Sequence, residues 1–117
     1  MDLEQFFEAV LPAKTGWTPI ILKGPMGGLT VFKWFAWPAQ KTAMISHVEA
    51  NAGQDVYWSP FLYTEPPGLS NTRHATKENV THVACVWADG DDCPLDRLAV
   101  QPSITVRTSE HHWQGYW

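Results

Sequence analysis

Seven tryptophans in 117 residues restrict what this chain can fold into more than any other feature. Indoles on that scale have to be buried, stacked on a partner, or covered by a part of the protein outside this chain. The length suits one small domain, taken here as residues 1–117. Charged residues make up only 17% and hydrophobic residues 44%, so a packed core is within reach and wholesale disorder is excluded. Lys and Arg total 8 against 12 Asp and Glu, a net charge of -4. That balance excludes a nucleic-acid binder held by bulk positive charge; any such contact has to come from a few placed residues.

Cys85 and Cys93 make neither a disulfide framework nor a zinc signature and read as reduced thiols. The N-terminus, Met-Asp-Leu-Glu-Gln, has no basic segment of a signal peptide, and no apolar run approaches the roughly 18 residues that span a membrane. The expectation is a cytoplasmic protein with no membrane partner. The sequence ends His-His-Trp-Gln-Gly-Tyr-Trp, alternating like the middle of a strand, so the chain reads as an N-terminal piece of something longer.

Asp2 is placed to cap a helix over residues 2–11, with Gln5 completing a capping box and Leu3, Phe6, Phe7 and Val10 on one face. Residues 18–23 and 29–37 read as strands joined by a turn at Gly24-Pro25-Met26-Gly27-Gly28. The second of them is apolar on both faces, which predicts a central position. A helix is expected over 40–51, with Ala43, Met44 and Val48 as its inner stripe. A third strand is expected over 55–63, a long loop over 64–79 and a fourth strand over 80–89. A short helical piece over 94–100 precedes two strands, 103–109 and 112–117, joined by a tight turn. This order predicts an α/β (α+β) unit: one mixed, mainly antiparallel sheet flanked by two helices.

The strongest chemical signal is the apolar strand running into Asp89-Gly90-Asp91. In extended chain, residues i and i+2 point to one side, so Asp89 and Asp91 aim two carboxylates at one point. Such a pair suits a hard divalent cation. Asp-Gly-Asp-Asp is equally good turn chemistry, and that reading stands beside the first. About twenty residues on, Ser109, His111, His112 and Gln114 bring a hydroxyl, imidazoles and an amide onto one hairpin, groups able to hold a triphosphate or to form an ordinary surface hairpin. Arg73, His74 and Lys77 concentrate positive charge in the long loop, either for phosphate or as solvated loop charges.

In order and spacing these segments resemble the archaeo-eukaryotic primase superfamily, in its phage and plasmid primase-polymerase branch. The resembling stretches are Asp55-Val56-Tyr57-Trp58-Ser59-Pro60-Phe61, the strand ending in Asp89-Gly90-Asp91, and Pro102-Ser103 through Thr108-Ser109 to Tyr116-Trp117, about the last two thirds of the chain. The resemblance implies a primase-polymerase-like fold, and metal ligation of Mg²⁺ or Mn²⁺ by Asp89 and Asp91. It also implies contact of Ser109 and the following hairpin with nucleotide phosphates, with Arg73 a further nucleotide-binding candidate and Arg107 as added charge on a face that depends on register. Counting back from Tyr116-Trp117 puts Gln114 where the family's motif histidine stands, whereas a literal Ser-x-His spacing selects His111. His112 shares a strand face with Gln114, so the two alignments predict opposite faces. The family's third carboxylate comes from a later strand, which makes this chain the N-terminal portion of a catalytic domain with an incomplete active site.

The implied function is that of a DNA primase and polymerase: metal-dependent nucleotidyl transfer in phage or plasmid replication inside a bacterial host. The implied partners are nucleoside triphosphates, a single-stranded DNA template and a helicase domain downstream. Three other readings remain: a glycosyltransferase-like enzyme using Asp-x-Asp, a non-catalytic module that stacks exposed Trp on single-stranded nucleic acid, and a structural fragment without activity alone.

Overall fold

The computed structural model describes residues 1–24 and 28–117; Pro25, Met26 and Gly27 of the expected 24–28 turn lie outside the described residues. The chain forms two compact units, Met1–Ala84 and Cys85–Trp117.

In the first unit, helix α1 (Leu3–Val10) starts at Asp2, whose side chain accepts from the Gln5 N–H at 2.8 Å while the Gln5 side chain accepts from the Asp2 N–H at 3.0 Å. Both halves of the capping box are therefore made, which satisfies two otherwise orphaned amides. Phe7 and Val10 are buried, and Phe6 and Phe7 set their rings edge-on against Trp58 at 4.9 and 5.8 Å. Strands β1 (Gly16–Lys23) and β2 (Thr30–Trp37) pair antiparallel along their whole length. Helix α2 (Lys41–Ala50) follows, then β3 (Asp55–Trp58), β4 (Phe61–Tyr63) and β5 (Val80–Val83).

The sheet order is β2-β1-β4-β5, with β3 also pairing β1. The central strand is therefore β1, and β2 lies at an edge, contrary to its two-faced apolar pattern. Its outer side is covered by the long loop. The Trp34 backbone N–H donates to the Leu69 carbonyl at 3.0 Å, its indole N–H to the Asn71 carbonyl at 2.7 Å, and its ring meets His74 edge-on at 5.4 Å. Trp34 is 1% exposed as a result. His74 is tied down in turn, with Nε2 2.9 Å from both the Oγ1 and the carbonyl of Thr64, so it acts in the loop's own structure.

The expected strand over 55–63 is two strands. Ser59 and Pro60 interrupt it, because proline has no N–H for a ladder. The register runs Ile20↔Trp58 and then Trp17↔Tyr63, so the extra residues bulge opposite Thr18 and Pro19. On α2 the inner residue is Met44, fully buried, while Ala43 is exposed: it stands about 100° round the helix from Met44. No helix among the described residues is long and apolar enough to cross a membrane.

The expected strand over 80–89 is also two strands. Residues 80–83 pair with β4 in the first unit, and β6 (Trp87–Asp89) belongs to the second. There, β6 and β7 (Ile104–Ser109) flank β8 (His112–Tyr116) in a three-stranded antiparallel sheet, order β6-β8-β7. Val86 and Trp117 exchange two backbone bonds of 3.1 and 2.8 Å just beyond the ladder. The segment between β6 and β7 carries one 3₁₀ turn, Leu95–Arg97, and two tryptophans fasten it: the Trp113 indole N–H donates to the Cys93 carbonyl at 2.7 Å, and that of Trp117 to the Val100 carbonyl at 3.0 Å. Among the described residues the architecture is α+β with two α-helices and two antiparallel sheets, the second sheet being the departure from the single one expected.

Candidate functional site

The β6–β8 ladder pairs Trp87 with Tyr116, Ala88 with Gly115 and Asp89 with Gln114. Partners in an antiparallel ladder share a face, so Asp89 and Gln114 meet: the Gln114 amide Nε2 donates to Asp89 Oδ1 at 2.9 Å. Tyr116, two residues on and hence on the same face, donates its hydroxyl to Gln114 Oε1 at 2.8 Å. Both ends of the Gln114 amide are thus engaged, with its N–H end turned towards the carboxylate. Tyr116 is 3% exposed. Burial, then the nearby Cys85 and Asp89 charges, push its phenol well above the ordinary value, so it stays a proton donor at any physiological pH.

Beyond Asp89 the chain keeps step with β8. The Gly90 N–H donates to the Trp113 carbonyl at 2.8 Å, and Asp91 Oδ1 lies 3.9 Å from His112 Nδ1. Asp89 sits beside Gln114 and Asp91 beside His112, and Gln114 and His112 are two residues apart on one strand. Asp89 therefore lies on the Gln114 side of the ladder, and Asp91, past the end of β6, comes within 3.9 Å of His112.

Gly90 faces the other side. A Cβ there would stand 1.9, 2.1 and 2.4 Å from Cε2, Cζ2 and Cδ2 of Trp113, and a Cβ on Gly115 would stand 2.8 Å from Trp113 Cζ3. The indole lies in the space those two missing side chains leave. The glycine of Asp-Gly-Asp is there for close approach; the left-handed turn residue of this segment is Asp92, at φ 56°.

The remaining candidates separate. His111 stands in the hairpin turn at φ 65°, outside the alternation assumed for an extended chain, with its Nε2 3.6 Å from Glu110 Oε1. Ser109 is exposed at the mouth of that turn, where the ladder shifts register between Arg107 and Ser109. Arg73 belongs to the first unit, exposed, its N–H donating to the Asn71 side chain at 2.9 Å. The residue missed from sequence is Tyr116; its i, i+2 spacing from Gln114 was the available signal.

Among the described residues no three His, Cys, Asp or Glu side chains converge to hold a metal ion. One or two carboxylates completed by water and substrate phosphate are the donor set that suits Mg²⁺. Asp89 and Asp91 are the residues that would hold it. No protein-family model, curated protein or solved structure matches the chain.

Proposed function

We propose that the Cys85–Trp117 unit carries part of a nucleotidyl-transfer site of the primase-polymerase kind. A Mg²⁺ or Mn²⁺ held by Asp89 and Asp91 would supply charge neutralisation at the phosphates of a nucleoside triphosphate. The observation that carries the reading is the 2.9 Å bond between Gln114 and Asp89. Residues 25 apart, singled out as two halves of one motif pair, are cross-strand neighbours. In this reading Gln114 positions the Asp89 carboxylate instead of binding nucleotide itself, because its carbonyl is already taken by Tyr116. His112 beside Asp91 is the neighbour nearest the phosphates, and His111, Ser109 and Arg73 have lesser claims. The reaction would add a nucleotide to a 3′-hydroxyl on a single-stranded DNA template in phage or plasmid replication.

The test is titration of the protein with a deoxynucleoside triphosphate and Mn²⁺, compared with Asp89→Asn, Asp91→Asn and His112→Ala. Metal-dependent binding lost in both aspartate variants supports the proposal. Binding that ignores both metal and aspartates overturns it in favour of a non-catalytic nucleic-acid module.

A further inference from the structure

The small sheet borders a cleft of about 510 Å³, with His111 and His112 in its wall beside Trp113, within the roughly 300–1,000 Å³ of small-molecule sites. Trp113 and Arg107 are cross-strand partners there, and Thr105 lies two residues from Arg107 on the same side. Trp113 is fixed in three ways: Gly90 and Gly115 beneath it leave it room, and its N–H is held by the Cys93 carbonyl at 2.7 Å. It is only half-buried and lines the cleft. A preset indole is what base stacking needs, since no rotamer has to be frozen on binding. Arg107 is exposed beside it, and no carboxylate pairs with it among the described residues. Asp92 lines the other part of the cleft, an acceptor for the amino edge of a base.

We infer that this cleft binds one nucleotide unit: base stacked on Trp113, base N–H on Asp92, phosphate on Arg107. His112, the neighbour of Asp91 in the proposed metal site, also lines this cleft, but binding here rests on Trp113, Arg107 and Asp92 and needs no divalent ion. The unit has two sources, a free nucleotide or a residue of a single strand.

The experiment uses the protein with ¹⁵N-labelled tryptophan in metal-free buffer. It is titrated separately with deoxycytidine monophosphate and with an oligodeoxycytidylate of about a dozen residues. Trp113→Phe assigns the indole resonance, and Arg97→Gln, an exposed charge away from the cleft, is the charge-matched control. The Trp113 resonance should move with at least one ligand. Movement with both points to a strand residue, and with the monophosphate alone to a free nucleotide; either supports the cleft. Trp113→Phe should weaken binding several-fold, within the roughly 5- to 150-fold span of a lost stack. Arg107→Gln should lower the slope of log affinity against log salt for the oligomer by about 0.7, and Arg97→Gln should not. An unmoved Trp113 resonance with both ligands, or Arg107→Gln binding like Arg97→Gln, overturns the inference.

Discussion

Gly90→Ala isolates the close approach on which the small sheet is built. Gly90 has an ordinary backbone conformation for any L-residue, so the substitution adds a methyl and nothing else. That methyl would stand 1.9–2.4 Å from three ring atoms of Trp113, well inside contact distance. The indole has to move, and moving it breaks the 2.7 Å bond to the Cys93 carbonyl that fastens the 90–102 segment. Overpacking costs about 1–3 kcal/mol, and the lost hydrogen bond about 0.5–1.5 kcal/mol. The expected loss is about 1.5–4.5 kcal/mol. With a urea slope of about 1–3 kcal/mol/M, the unfolding midpoint should fall on the order of 1 M, followed by the Trp113 indole N–H resonance. Gly53→Ala is the comparator: nothing lies within 4 Å of its added methyl, so its midpoint should hardly move. In a Trp113→Ala background, Gly90→Ala should cost less than about 0.5 kcal/mol, because the clashing ring is gone. An unchanged midpoint for Gly90→Ala, or an equal loss with and without Trp113, would refute the packing argument.

Trp34→Phe removes the indole bond to the Asn71 carbonyl and leaves space in a site 1% exposed; cleavage within the 64–79 loop by a protease should quicken, and equal rates would contradict the stapling. His47 has an Nε2 that is buried without a partner, and burial, then Lys33, hold its ring below its ordinary value of 6.5. The unfolded chain therefore takes up the proton first, so stability should be full above pH 6.5 and fall as pH drops below it. His47→Leu should flatten that fall, measured as urea midpoints across the range. Tyr116→Phe leaves Gln114 Oε1 without its donor; Mn²⁺ affinity should drop several-fold with the fold intact, and Gln114→Ala should reproduce the drop.

What could be read from the sequence was what local chemistry decides. Asp2 and Gln5 cap each other three residues apart, and the apolar runs 18–23 and 29–37 read as strands that pair antiparallel as β1 and β2. The breaks were hidden in different ways. Pro60 announced one, but the run of aromatic residues around it outweighed the proline. Residues 80–89 contain no glycine or proline, and their split between two sheets follows from pairing with β4 and β8, partners far away in sequence. At the site, the i, i+2 spacing aimed Asp89 and Asp91 at one side and left two alignments of the hairpin. The ladder joins Asp89 to Gln114, and the left-handed His111 removes the premise of the other alignment, since an imidazole in a turn has no strand face. Arg107 was ambiguous for the same reason: its face depended on register, and its pairing with Trp113 sets it on the cleft side.

The central claim, that Asp89 and Asp91 together hold a divalent cation, is tested most directly by paramagnetic broadening. Mn²⁺ added substoichiometrically to the ¹⁵N-labelled protein should broaden the amides of residues 88–91 and the side-chain amide of Gln114 first. Asp89→Asn and Asp91→Asn should each abolish that pattern while the Trp34 indole resonance reports an intact fold. Broadening centred elsewhere, or the same pattern surviving in both variants, would contradict the account.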